Sequence, residues 1–342
     1  MNMKYLRTEQ LNPASTELDT KSALEIARVI NGEDKRVAAV VERALPQIAV
    51  AIDAVAEAIL KGGRLIYVGT GTSGRVAALD ASECPPTFNL DPKLIQYVMA
   101  GGERALGRAT EASEDSREAG RRDLAKRKPT KKDVVVGVSA SGRTPYTITA
   151  LEYARQRGAR TVAVVANRGS ELGKVAEIEI VAEVGPEVLS GSTRMKAGTA
   201  QKMVLNMLTT GAMARLGYIY GNLMVNVHTG NEKLIERALS ILEEAADVDR
   251  QGAAQALKAA GNQVAVALIM LKAGTDRRQA EKKLRAAKGN VRKAIASGQP
   301  RIALKTTSAR AARRVCRRSD LGSFSQVVDE GLDSFVSDLE RE

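Results

Sequence analysis

The stretch DVVVGVSASGRTPYTITALEYARQRG, residues 133–158, decides the class of fold. Its opening is a short apolar run with no polar alternation, which reads as a strand covered on both faces. Gly, Ser and Thr then crowd into SASGRTP (139–145). Pro145 suits the first turn of the helix predicted over PYTITALEYARQRG. Strand, small-residue turn and helix make one half of a βαβ unit. The same order recurs around it, with strands predicted at RLIYVG (64–69), LIQYVMA (94–100), RTVAVVA (160–166) and EIEIVAEV (177–184). Helical patterns such as SREAGRRDLAKR separate most of them. The alternation predicts an α/β fold, a doubly wound parallel sheet flanked by helices.

Outside this region the chain reads as helix. Residues 21–60 space their apolar side chains by three and four, with a break predicted near Asn31-Gly32. From Arg194 onward nearly everything is helical, beginning with RMKAGTAQKMVLNMLTTGAMARLG, whose Met stripe reads as core packing. NEKLIERALSILEEAADV follows, and then three short helical pieces up to about Ile295. The expected organisation is a sheet domain with N-terminal helices over 1–235 and a small C-terminal helical domain over 236–298. A tail over 299–342, basic and then acidic, follows the linker-like ASGQP. No internal repeat is evident.

Composition narrows the function. With aromatic residues at 3% and no Trp, the core must be built from Ala, Val, Leu, Ile and Met. Two cysteines, Cys84 and Cys316, make neither a disulfide framework nor a metal site. No apolar run approaches the roughly 18 residues of a membrane helix, and the N-terminus lacks a signal core. A cytoplasmic setting without a membrane partner is expected. The net charge of +12 raises nucleic acid as a partner, but seven of the basic residues fall in 301–318 and the others mix with Asp and Glu. An anionic small molecule is the simpler partner.

Two further stretches share the composition of SASGRTP: GTGTSGR (69–75) and LSGSTRMKAGT (189–199). Such loops offer backbone N–H groups and hydroxyls to an anion at a helix start. Three that converge would make a phosphate site, with Ser139, Ser141 and Thr144 supplying hydroxyls within six residues. Gly69, Gly71 and Gly74 also satisfy G-x-G-x-x-G, the dinucleotide fingerprint. That reading needs an acid at the end of the next strand, and Asp91 precedes LIQYVMA, at the wrong end. No Walker motif occurs.

Proton carriers are few. His228 is the sole histidine, and no motif pairs it with a nucleophile. Carboxylates remain. Glu83, in LDASECPPTF (79–88), ends a short helix that Pro85 and Pro86 are expected to stop. Glu111, Glu114 and Glu118 in TEASEDSRE (110–118) fall at i, i+3 and i+7, which predicts one helical face. Crowded carboxylates raise one another's pKa toward a useful range. Spacing alone leaves both settings equally readable as surface acids, the second paired with Arg117, Arg121 and Arg122.

Taken together, GTGTSGRVAALDASECPPTF, AGGERAL, EASEDSREAG, DVVVGVSASGRTPY, GSTRMKAGTAQKMVLNML and GNLMVNV resemble the N-acetylmuramic acid 6-phosphate etherases of the sugar isomerase (SIS) superfamily. The resemblance runs collinearly from about residue 8 to Ile295 and implies a SIS-type sheet. It implies cleavage of the D-lactyl ether at C3 of the amino sugar phosphate, giving N-acetylglucosamine 6-phosphate and D-lactate in murein recycling, with no cofactor and no metal. Glu83 then falls at the general acid and Glu114 at the second acid/base, one starting protonated and the other ionised. Ser139, Ser141, Gly142 and Thr144 would hold the phosphate, and Thr72 and Ser73 the sugar. A homodimer with the pocket near its interface is also implied, with Glu9, Asn12 and Thr16 as contributors. Thr70 departs from the family, where a smaller Ala is expected. The same scaffold also admits an aldose–ketose phosphate isomerase, which would release no lactate, or a phosphosugar sensor.

Overall fold

In the computed structural model, which describes residues 6–108, 114–227 and 229–297, five short strands form one parallel sheet. They are β1 (Leu65–Gly69), β2 (Ile95–Met99), β3 (Val134–Ser139), β4 (Arg160–Val165) and β5 (Ile178–Val181), each inside a predicted stretch. Their order across the sheet is β2-β1-β3-β4-β5. The winding reverses between β1 and β3, so the connections that leave these two strands run to opposite faces. A crevice opens at their carboxyl ends. Asp91 precedes β2, as the rejection of the dinucleotide reading requires.

Helices cover both faces. Before β1 come α1 (Ala23–Asp34), α2 (Val37–Glu42) and α3 (Leu45–Leu60). Then α4 (Gly71–Phe88) leads to β2, and α5 (Arg104–Gly107) and α6 (Arg117–Ala125) lead to β3. Next come α7 (Pro145–Gln156), α8 (Glu171–Val175) and, after β5, α9 (Lys196–Leu216). Leu65, Tyr67, Val134 and Val136 pack with α3, α4 and α9 in one buried cluster. Ile66, Val68 and Val135 pack with α6 and α7 in another. In the central strands β1, β3 and β4 alternate residues thus bury on opposite faces, which is why these show no polar alternation, whereas the edge strand β5 alternates.

At the amino ends of the sheet, buried Asp133 ties β3 to β1. It accepts from the Arg64 backbone N–H at 2.8 Å and from the Arg64 guanidinium at 2.9 Å and 3.2 Å. A third apolar cluster, from Val225 to Ile295, is built by α10 (Glu232–Ala246), α11 (Arg250–Ala259), α12 (Val264–Ala273), α13 (Arg277–Ala286) and α14 (Val291–Ala296).

Four sequence readings are corrected. The helical break falls after Asp34 rather than at Asn31-Gly32, because nothing crowds Gly32 and α1 runs through it. Four short helices, not three, follow α10; side chains of Asp249, Asp276 and Asn290 cap three of them, and an uncapped Gln263 opens the fourth. Pro85 and Pro86 do not stop α4 before Phe88. Their fixed φ is helical, and they sit in the last turn, where little ladder remains to lose. Asn89 ends the helix in the left-handed conformation (φ 52°), with Leu90 N–H donating to the Pro85 carbonyl. Finally, Glu114 and Glu118 do not share a helical face, since Ser116 caps α6 and Glu114 precedes it. Glu111, His228, Cys316 and the segment 299–342 lie outside the described residues. No single described helix is long and apolar enough to cross a membrane.

Candidate active site

The crevice at the switch point is a cavity of about 670 Å³. Its floor is the exit of β1. Gly69 and Gly74 approach so closely that a Cβ on Gly69 would meet the Gly74 nitrogen at 2.9 Å, and one on Gly74 would meet Met99 at 2.8 Å. Here small residues are required by contact. Thr70, the departure from the family, fits as the buried residue before α4 and accepts from the Gly74 N–H at 2.9 Å. Thr72 and Ser73 follow in the first turn and line the cavity.

The exit of β3 forms the second wall. The Ser139 hydroxyl lies 2.9 Å from Thr144 Oγ1 and 3.4 Å from Ser141 Oγ, and it accepts from the Gly142 N–H at 3.1 Å. Three hydroxyls therefore gather at the start of α7, where the helix dipole favours an anion. Gly142 has φ +66°, and a Cβ on it would meet Ser170 Cβ at 2.4 Å. It shapes the turn without itself lining the cavity.

Glu114 is delivered to this wall by the backbone. The Tyr146 N–H in the first turn of α7 donates to the Glu114 carbonyl at 3.1 Å. Behind it, Gly120 of α6 lies so near α7 that a Cβ would meet the Tyr146 carbonyl oxygen at 2.1 Å. The Glu114 carboxylate lines the cavity and reaches over Gly71, where a Cβ would meet its Oε1 at 3.1 Å.

Glu83 stands apart. It is exposed on α4, eleven residues beyond Thr72, or about 16 Å along the helix axis, and does not line this cavity. On its inner side the same helix is buried. Asp80 accepts from Tyr67 Oη at 2.8 Å, from Asn206 at 2.7 Å and from Thr209 at 3.1 Å. Burial pushes the Asp80 carboxyl up despite these bonds, and burial and the Asp80 charge push the Cys84 thiol up to about 12. Cys84 is a free, buried and protonated packing residue.

The remaining wall was not foreseen in detail. Leu6 and Glu9 line the cavity from the N-terminal segment, whereas Asn12 and Thr16 do not. Asn12 instead donates to Glu33 at 2.8 Å and to the Pro186 carbonyl at 3.0 Å. Glu33 also receives the ammonium of Lys196, both residues being buried. Burial alone would raise the Glu33 carboxyl, but bonds from Lys196, Asn12 and Arg36 hold it below the usual carboxylate range. Fully buried Glu187 accepts from the Lys196 and Ala197 N–H groups at 3.0 and 2.9 Å, capping α9. Burial raises its carboxyl above the usual range. Together these fix the turn Ser192–Thr193–Arg194 against the cavity. Its signal in the sequence was the third small-residue stretch; nothing there marked Glu33 or Glu187 as partners of Lys196.

Four arginines line the cavity: Arg75, Arg117, Arg143 and Arg194. Among the described residues no group of three His, Cys, Asp or Glu side chains is placed to hold a metal. A larger hollow of about 790 Å³ lies beside β2, but Arg122 and Lys126 there are paired with Asp123, and none of the small-residue loops reaches it.

Comparison with known proteins agrees with the geometry. Residues 108–211 match the SIS domain model, and residues 47–155 match the N-terminal SIS domain model of glucokinase regulatory protein. The N-acetylmuramic acid 6-phosphate etherase of Actinobacillus pleuropneumoniae is 50% identical over 84% of this chain and 95% of its own. Etherase 1 of Enterococcus faecalis is 49% identical over 86% of this chain and 99% of its own. That of Vibrio vulnificus is 50% identical over 86% and 98%. A solved phosphoheptose isomerase from Francisella tularensis overlaps at a TM-score of 0.44 with 17% identity, covering 57% of this chain and all of its own, and bears no weight for the site. The chain belongs to the N-acetylmuramic acid 6-phosphate etherase family.

Proposed function

We propose that this chain cleaves the D-lactyl ether of N-acetylmuramic acid 6-phosphate, releasing D-lactate and N-acetylglucosamine 6-phosphate, as a carbon–oxygen lyase of peptidoglycan recycling. The observation that carries the reading is the meeting of the Glu114 carboxylate with the three-hydroxyl loop in one cavity, in a chain half identical to named etherases. The phosphate binds Ser139, Ser141 and Thr144 at the start of α7, and Gly142 gives the loop its turn. Thr72 and Ser73 bind the sugar.

In the open-chain aldehyde the C2 proton is acidified by the adjacent carbonyl, and Glu114 removes it. The electron pair enters the C2–C3 bond as the C3–oxygen bond breaks. The departing lactate oxygen takes its proton from Glu83. Water then adds at C3, giving a proton back to Glu83, while Glu114 returns one to C2. Acid and base serve both halves.

Since Glu83 lies outside its own chain's cavity, the acid is supplied between subunits of a homodimer. Exposed Leu79 stands one turn before Glu83 on the same helical face, an apolar neighbour suited to a subunit contact. No membrane or nucleic-acid partner is part of this reading, and the bacterial cytoplasm is its setting. The test is incubation with N-acetylmuramic acid 6-phosphate and an assay for D-lactate. Wild-type protein that releases none removes the reading.

A further inference from the structure

The substrate proposed above carries two anionic groups, the phosphate and the lactyl carboxylate, and the hydroxyl loop accounts for only one. The four arginines of the cavity are offset by four carboxylates, Glu9, Glu114, Asp115 and Glu171. Net charge therefore does not hold the second anion, and a particular guanidinium must do so.

The four are not equivalent. Arg75 spends its donors on the carbonyls of Leu106 and Arg108, at 3.0 and 3.1 Å. Arg143 lies inside the hydroxyl loop, its backbone N–H donating to Ser141 Oγ at 3.2 Å, so its side chain starts from the proposed phosphate wall. Arg117 stands three residues from Glu114, on the side of the base. None of the four enters an ion pair among the described residues, and Arg194 is set apart by its place, exposed at the head of α9. Its turn is braced on both sides. Glu187 caps the helix behind it, Gly198 N–H donates to the Thr193 carbonyl at 3.1 Å, and Ser190 Oγ donates to the Glu9 carbonyl at 3.2 Å. That turn also adjoins the sugar-binding wall, since a Cβ on Gly198 would meet Thr72 Cγ2 at 3.2 Å.

We propose that Arg194 anchors the lactyl carboxylate and so selects the ether substrate over sugar phosphates that lack it. With Glu114 over Gly71 taking the C2 proton on one side, the α9 wall beyond Thr72 is left for the neighbouring C3 substituent. A planar guanidinium on a rigid turn suits a carboxylate in two-point contact. Its place at the open rim is where a leaving group must depart. This inference rests on the etherase reading.

The test compares ligands with and without the carboxylate, using the full-length protein. Arg194→Met lowers kcat/KM for N-acetylmuramic acid 6-phosphate by roughly 10- to 100-fold, while the inhibition constant of N-acetylglucosamine 6-phosphate stays within about twofold. Arg194→Lys keeps part of the lost rate. The carboxylate methyl ester of the substrate loses a similar factor on wild type, and Arg194→Met does not distinguish ester from acid. Equal weakening of both ligands by Arg194→Met, no weakening of either, or wild-type turnover of the ester as fast as the acid overturns the proposal. So does a selective loss seen with Arg117→Met instead. Wild type that releases no D-lactate defeats the etherase reading itself, before any variant is compared.

Discussion

Gly142 shows how much one residue can fix. Its φ of +66° turns the chain so that Ser139, Ser141 and Thr144 face one another, and Ser170 fills the space a side chain would need. Gly142→Ala meets both a left-handed backbone penalty, roughly 1–2 kcal/mol, and a clash. Thermal melting should show that loss, with a raised KM for the phosphosugar. The buried pair Glu33–Lys196 behaves differently, because Glu33 is the one ion-pair partner of the Lys196 ammonium among the described residues. Glu33→Met strands the buried Lys196 ammonium and destabilises by about 3–5 kcal/mol in urea unfolding. The double variant Glu33→Met with Lys196→Met recovers much of that. If the double variant were as unstable as the single, the pair would not be the source of the loss.

At the scale of elements, the sheet depends on the joint between β1 and β3. Burial would raise the Asp133 carboxyl, but the Arg64 fork and the Thr130 N–H and hydroxyl hold it below the ordinary value. A lowered folded pKa adds stability that is complete above the unfolded value near 3.9 and is lost as pH falls through the folded value. Asp133→Asn should therefore flatten the acid limb of the stability curve below about pH 4, read by urea melts across pH. The central strands β1, β3 and β4 were legible because each buries on both faces, and an unbroken apolar run has few other uses. The limits of α4 were not. Proline usually announces a helix end, but Pro85 and Pro86 fall where the ladder is nearly finished, so they ride within the last turn. The small-residue loops of the cavity were legible by composition and the role proposed for Glu114 only by resemblance. What places its carboxylate is the N–H of Tyr146 and the bare Gly120, a long-range contact that local spacing cannot display.

At the scale of the molecule, the strand order puts the exits of β1 and β3 side by side, so two loops 70 residues apart in sequence share one crevice. The same order sends α4 away from the crevice, and Glu83 with it. On the proposed mechanism, an acid that sits exposed three turns along the helix works on another copy of the chain. That geometry makes a distinctive prediction for mixed subunits. Glu83→Gln and Glu114→Gln each lose D-lactate release by roughly 10²–10⁴-fold when pure. Unfolded and refolded together in equal amounts, they form dimers of which half are mixed, and each mixed dimer rebuilds one complete site. Release of D-lactate should then return to about a quarter of the wild-type rate. Mixing after folding, under conditions where subunits do not exchange, should restore nothing. If Glu83 served its own chain, neither mixture would recover, because every site would lack one of its two carboxylates.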